Sequence, residues 1–328
     1  MLQDSKIYVA GHSGLVGSAI MRSLAAQRYT NLVTRTHTEL DLLDPNKVAA
    51  FFAQEQPEYV FLAAAKVGGI MANSTYPAEF IYENTMIGCN VVHTAYRCGV
   101  KKLMNLGSTC IYPKLCPQPI KEEYLLTGLL EPSNEAYALA KISVIKLCAA
   151  YNRQYGTNFL SVMPTNLYGI GDRYDLENSH VMPALIRKFH EAKVSGSNSV
   201  LLWGDGSPLR EFLYSDDLAG MVVALMERND AIDVRHSAGD FINVGSGREV
   251  SIRALAEIVR SVVYEQELQA ARDPEAVCCI AWDCSKPNGT PRKLCDVRRL
   301  LALGYAASTD LRSGIKQAYM DFLSRYSL

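Results

Sequence analysis

The sequence predicts an α/β fold: a doubly wound parallel sheet covered by helices on both faces, followed by a smaller second α/β lobe. Three observations predict it. Short, continuously apolar runs alternate with helix-period segments through the first half, a glycine-rich turn directly follows the first run, and the alternation loosens beyond residue 170. Strands buried on both faces lose the apolar/polar alternation of half-exposed ones, so unbroken apolar runs between helices point to a parallel sheet. Ligands of such sheets lie at the carboxyl ends of the strands.

In chain order, KIYVAG is the first strand, and a helix runs from Leu15 to about Arg28. NLVTRT, YVFLAAA, KLMNLGS and NFLSVMPTNLYG read as further strands, separated by helices near 45 to 55, 80 to 98 and 132 to 147. After GIGDRYDLENSH comes a helix at about 180 to 193, a turn SGSNS and a loop WGDGSPLREF. The second lobe begins there. FINVGS reads as a strand, SIRALAEIVRSVV as a helix, and SKPNGTPRK as a Pro/Gly-rich loop before a terminal helix.

The chain of 328 residues carries 33 Lys and Arg against 34 Asp and Glu, a net charge of −1. That balance gives no general attraction to nucleic acid or to an anionic membrane, so any anion must be bound by local groups. The N-terminal segment MLQDSKIYVAG lacks a basic stretch and a long apolar run, and YVFLAAA stops at Lys66, far short of the roughly 20 residues a membrane span needs. A cytoplasmic protein is expected. Nine cysteines then read as reduced thiols, not a disulfide framework, and Cys278, Cys279, Cys284 and Cys295 lack the paired C-x-x-C spacing of a zinc site. No metal is expected.

VAGHSGLVG places Gly11, Gly14 and Gly17 between the first strand and the first helix. Such a loop can turn tightly, bring its backbone close to a phosphate and offer free helix N–H groups to an anion. The spacing is G-x-x-G-x-x-G, so it is the position after a strand and before a helix that points to a dinucleotide. An acid at the end of the second strand would hold a ribose 2′-hydroxyl, whereas a cation would accept a 2′-phosphate. Arg35 and His37 stand there, with no acid before Glu39. NADP(H) is therefore expected over NAD.

Tyr137 and Lys141, in PSNEAYALAKISVIKL, lie one helical turn apart on one face. A nearby cation stabilises a phenolate, so the pair can act as an acid/base device, with Lys141 expected to lower the phenol's pKa. Alone, the spacing reads equally well as an ordinary amphipathic helix.

The glycine turn, Ser108 in NLGSTCIYP and the Tyr-x-x-x-Lys helix together resemble the extended short-chain dehydrogenase/reductase superfamily, with its Rossmann-type sheet. LAAAKVGGIMAN, STCIYPK, LEPSNEAYALAKI, NSHVMPALIRKFHEA, LREFLYSDDLA and SKPNGTPRKL resemble the GDP-L-fucose synthase family, from residue 6 to about 297. The resemblance implies a Rossmann NADP-binding domain of residues 1–170 plus about 212–245, and a substrate-binding domain of about 171–211 plus 246–328. It also implies the activity: GDP-4-keto-6-deoxy-D-mannose is epimerised at C3 and C5, then reduced at C4 with NADPH. Ser108, Cys110, Tyr137, Lys141 and His180 would be catalytic, with Cys110 and His180 exchanging the carbon-bound protons. The cofactor would touch Gly11, Ser13, Gly14, Leu15, Val16 and Gly17 in the first turn and Arg35 and His37 after the second strand. Further along it would meet Ala63, Ala65, Leu106, Gly107 and Ser108, then Tyr137, Lys141, Pro164, Asn166, Leu167 and His180. GDP would meet Arg187, Lys188, Trp203, Arg210, Asn288 and Lys293. A homodimer is implied.

Two departures bear on ligand choice. Some family members carry arginines where this chain has Ser13 and His37, and an Asp can occur where it has Asn288. Two other readings compete: an NAD-retaining nucleotide-sugar 4-epimerase or dehydratase of the same superfamily, and a non-enzymatic NADP-binding sensor. STCIYP has no acid after Ser108, unlike a dehydratase, and the intact Tyr137 and Lys141 oppose a sensor.

Overall fold

The structure, a computed structural model, describes residues 1–175, 179–270, 274–286 and 288–326. The expected alternation is present. β1 (Ile7–Ala10), α1 (Leu15–Ala26), β2 (Leu32–Val33), α2 (Pro45–Glu55) and β3 (Tyr59–Leu62) come first. A short α3 (Ile70–Thr75) leads into α4 (Pro77–Arg97), then β4 (Lys102–Leu106), α5 (Glu135–Tyr155) and β5 (Phe159–Pro164). Local chemistry marks the ends. Asp44 accepts from the N–H groups of Asn46 and Lys47 to cap α2, with Pro45 pre-set in its first turn. Gly156 takes the left-handed conformation that stops α5.

Downstream lie β6 (Asn166–Tyr168), α6 (Val181–Ser195), β7 (Ser199–Trp203), β8 (Leu209–Tyr214), α7 (Ser215–Arg228), β9 (Arg235–His236) and β10 (Gly239–Val244). The chain closes with β11 (Glu249–Ser251), α8 (Ile252–Val263), α9 (Glu265–Ala270), α10 (Pro274–Val277), β12 (Cys279–Asp283), β13 (Arg292–Lys293), α11 (Arg298–Ala302) and α12 (Leu311–Arg325). One expectation is corrected here. The end of WGDGSPLREF is not loop but the start of β8, because Leu209 to Glu211 pair with β11 on one side and Leu209 and Arg210 with β13 on the other.

The main sheet has the order β2-β1-β3-β4-β5-β10-β9, parallel throughout except for β9. Its order reverses beside β1, flanked by β2 on one side and β3 on the other, which opens a crevice at the strands' carboxyl ends. One apolar layer packs α1 and α7 on one face, including Leu24, Leu218 and Val222. A second packs α2, α4 and α5 on the other, around Phe52, Val91 and Phe159. A third core, containing Phe189, Val259 and Phe322, joins α6, α8 and α12 away from the main sheet. Small sheets β11-β8-β13 and β12-β7 accompany it, with β6 alongside β8. All nine cysteines are free.

Candidate active site

Gly11 leaves β1 at φ +80, and a Cβ on it would stand 2.7 Å from Ala64 Cα, so no other residue fits the turn. A Cβ on Gly17 would stand 2.0 Å from the Gly11 carbonyl oxygen, which is how close α1 comes to the strand end. Gly14 caps α1 in extended conformation without a side-chain bond, leaving first-turn N–H groups of Leu15 and Val16 for an anion. Ser13 is exposed beside them, and the buried Nδ1 of His12 has no partner. A cradle that a methyl group would fill, next to an orphaned polar atom, fits a dinucleotide. Gly17→Ala should therefore weaken NADPH binding at least about tenfold, read from the fluorescence of bound NADPH. Unchanged affinity would contradict the close approach.

Arg35 lies just past β2, but its guanidinium is not free. It bonds Glu55 at 2.5 Å and the Thr34 carbonyl at 2.8 Å, and packs 5.2 Å from the Phe51 ring centre. Its charge is shared with Glu55, a neighbour that sequence reading missed because it lies 20 residues away. His37 is 82% exposed and 4.0 Å from Asp41. Ala63 and Ala65 follow β3, half-buried, and Pro164, Asn166 and Leu167 stand where β5 passes into β6.

In α5, Lys141 is buried, donates to the Leu106 carbonyl at 2.8 Å, and lies 5.7 Å from the Tyr137 ring centre. Burial raises the Tyr137 phenol, with the charge of Cys110 adding to it. Burial also pulls Lys141 from its ordinary 10.5 down to about 8, against an opposing pull from Cys110. The expectation that Lys141 lowers the phenol is thus corrected: burial of the ring raises it, which favours the neutral phenol. Folded Lys141 binds its proton more weakly than unfolded, so the cost of that charge is full below about pH 8 and is relieved as pH rises toward 10.5. At about 1.4 kcal/mol per pH unit the relief is about 3 kcal/mol. Between pH 7 and 10, wild-type stability in urea should rise by about that amount relative to Lys141→Met. Parallel curves would refute it.

Gly107 and Ser108 continue β4, and Ser108 Oγ accepts from the Cys110 N–H at 3.2 Å, capping the turn Thr109–Ile111. That bond anchors the backbone that carries the Cys110 thiol. Lys293 Nζ stands 3.8 Å from Cys110 Sγ. His180 is the N-cap residue of α6. His180 is exposed, yet desolvation by the atoms around its ring lowers its pKa, followed by the charge of Lys293. The five predicted catalytic residues therefore form one neighbourhood: Leu106 anchors Lys141, Lys141 lies beside Tyr137, Cys110 acts electrostatically on both, and Lys293 links Cys110 to His180.

The predicted nucleotide side chains divide. Arg187 is committed to Glu191 at 2.6 Å and to the Tyr174 carbonyl at 3.0 Å. Arg210, in β8, bonds only the Leu209 carbonyl among the described residues, and burial lowers its pKa. Trp203 is 63% exposed at the end of β7. The ammonium groups of Lys188 and of Lys286, which sequence reading missed, each lie 5.8 Å from its ring centre. Asn288 Oδ1 accepts from the Asp205 N–H at 2.9 Å, tying two loops together. Among the described residues no cluster of His, Cys, Asp and Glu could hold a metal ion, and no helix is long and apolar enough to cross a membrane.

Residues 7–245 match the model of the "NAD dependent epimerase/dehydratase family". The chain is 55% identical to GDP-L-fucose synthase 1 of Arabidopsis thaliana, over 97% of this chain and 93% of that protein. It is 48% identical to the GDP-L-fucose synthase of Escherichia coli K12, over 98% of each. Among solved structures, a GDP-mannoheptose C4 reductase from Campylobacter jejuni with NADP bound superposes with a TM-score of 0.88 at 38% identity, covering 98% of this chain and 99% of that one.

Proposed function

The chain belongs to the NAD dependent epimerase/dehydratase family, among its GDP-L-fucose synthases, and from that premise we propose which residue performs each step. The protein is an NADP(H)-dependent epimerase and reductase acting on a GDP-sugar. The substrate we assign is GDP-4-keto-6-deoxy-D-mannose, and the product GDP-L-fucose. The observation that carries the reading is the Cys110 thiol 3.8 Å from Lys293, whose charge also acts on His180, beside the Tyr137–Lys141 pair. Two hydroxyl donors with two further proton carriers suit a reaction that moves protons at two carbons before reduction.

A ketone at C4 acidifies the C–H bonds at C3 and C5, because loss of either proton gives an enolate with its charge on the same oxygen. Ser108 and Tyr137 donate hydrogen bonds to that oxygen, in a site too crowded for water to compete. Cys110 takes a proton from one face of the ring and His180 returns one to the other. NADPH, when bound, supplies the hydride for C4. Tyr137, held protonated by its burial, gives its proton to the resulting alkoxide, a stronger base than phenolate. Lys141 holds Tyr137 in place and, by similarity, binds the nicotinamide ribose. Arg210 and Lys188 meet the diphosphate by charge-assisted hydrogen bonds, and Trp203 packs on the ligand.

The division into an NADP-binding domain, 1–170 plus about 212–245, and a substrate domain, about 171–211 plus 246–328, is supported in outline by the first two cores against the third, with Leu300 and Tyr305 packing into the first core and Tyr168, Phe212 and Tyr214 into the third. A homodimer through the outer faces of α4 and α5 is supported by exposed Ile81, Tyr82 and Leu139 and by the Tyr96–Tyr155 ring stack at 4.3 Å. The nine unpaired thiols support a cytoplasmic location. The purified protein, given NADPH and GDP-4-keto-6-deoxy-D-mannose, should consume NADPH and form GDP-L-fucose. Tightly retained nicotinamide with turnover in the absence of added NADPH would instead indicate a 4-epimerase or dehydratase.

A further inference from the structure

The steps above leave the most deeply buried carboxylate among the described residues without a task. Glu211 in β8 is 0% exposed. Its Oε1 accepts from the Gly247 N–H at 2.7 Å and its Oε2 from the Cys295 N–H at 2.8 Å. Its backbone carbonyl accepts from Asn166 Nδ2 at 2.7 Å and Thr165 Oγ1 at 3.4 Å. Burial raises this carboxyl while the two N–H groups pull it back. A Cβ on Gly245 would stand 2.2 Å from Oε1, so the turn after β10 closes directly over the carboxylate. One residue thereby joins β8, the start of β6, the turn after β10 and the tail of β13.

The β13 tail is where this matters. β13 pairs with β8 through only two residues, Arg292 opposite Leu209 and Lys293 opposite Arg210. Two positions later the Cys295 N–H turns to the Glu211 side chain instead of to the strand. On its other side the segment is held by residues 118–120: Leu294 N–H donates to Gln118 Oε1 at 2.8 Å, and Ile120 N–H donates to the Leu294 carbonyl at 2.7 Å. A two-residue ladder following a Pro/Gly loop does not fix a register well. A carboxylate clamped by two N–H donors from different segments does.

We infer that Glu211 is a positioning residue for the substrate: its carboxylate locks residues 292–296 against β8, setting Arg210 and Lys293 side by side between the diphosphate and the reacting sugar. The inference rests on the GDP-sugar reading above. A Gln side chain has the same shape but must turn its NH₂ toward one of the two N–H donors, so one bond is lost and a donor faces a donor.

The test is Glu211→Gln, with NADPH saturating. KM for GDP-4-keto-6-deoxy-D-mannose and Kd for GDP should each rise about tenfold, the loss expected for one charge-assisted bond. Kd for NADPH should stay within about twofold, because the cradle of β1 and α1 is untouched. Unchanged GDP affinity in the folded variant overturns the inference. Equal rises in the GDP and NADPH dissociation constants also overturn it, since they mark general loosening. Hydrogen exchange on the wild type does not depend on the variant folding. The amides of Gly247 and Cys295 should be strongly protected, and exchange at the rate of the exposed Gly289 amide would overturn the proposal. Wild-type protein that binds GDP but leaves the keto sugar unreacted would refute the assigned reaction while leaving the GDP comparison readable.

Discussion

Cys110→Ser should cut solvent-deuterium uptake by the sugar about 10²–10⁴-fold, the span typical of a lost general acid–base group, with NADPH affinity unchanged. The reason is chemical and geometric together. The Ser108 cap holds the backbone at position 110, and Lys293 stands 3.8 Å from the Cys110 sulfur. Serine keeps the shape and the backbone bond but replaces a thiol by a hydroxyl that stays protonated at any working pH. His180→Gln should cut formation of the epimerised product by the same order, because the proton removed from one face by Cys110 is then not returned to the other. Mass spectrometry of the product after turnover in D₂O reads both. Full deuterium incorporation by Cys110→Ser, or undiminished epimerised product with His180→Gln, would remove that residue from the proton-transfer scheme.

Tyr137→Phe is the second large effect. Reduction should fall about 10²–10³-fold, the loss seen when one preorganised oxyanion donor is deleted, and deuterium exchange should fall with it. The coupling of the two losses is the informative part. If one C4 oxygen carries the charge in both the enolate and the alkoxide, a single phenol serves both, and removing it harms both. The ring remains packed edge-on against Phe80 at 6.3 Å, so the fold should survive. Stopped-flow NADPH oxidation measures the first effect and label uptake the second. Loss of reduction with exchange intact would mean that Ser108 alone holds the enolate oxygen.

Much of this was readable in the chain because the signals are local. The glycine turn, the strand-then-Ser pattern at Ser108 and the one-turn spacing of Tyr137 and Lys141 each depend on residues within a few positions of one another. Steric limits on φ and the helical repeat act at that range. The phenol's direction of shift was not readable, because it depends on how many atoms surround a side chain. Glu55 capturing Arg35, Glu191 capturing Arg187 and Lys286 approaching Trp203 were hidden for a related reason: an ion pair or ring contact is chosen by whatever the fold brings near. Glu211 was hidden most completely. An acid between Arg210 and Phe212, in a stretch that reads as loop, gives no sign of a structural task until two distant N–H groups are seen closing on it.

By itself, then, the sequence determined the parallel sheet, the glycine turn after its first strand and the family resemblance from which the proposed proton carriers are drawn, since torsional preference, apolar periodicity and motif spacing are properties of short segments. Tertiary structure alone decided the charge states of Tyr137, Lys141 and His180, which cations remain free for GDP, and how the β13 tail is fastened beside Arg210. Desolvation and electrostatic pairing depend on distances in space, and chain order does not encode those until the sheet has closed.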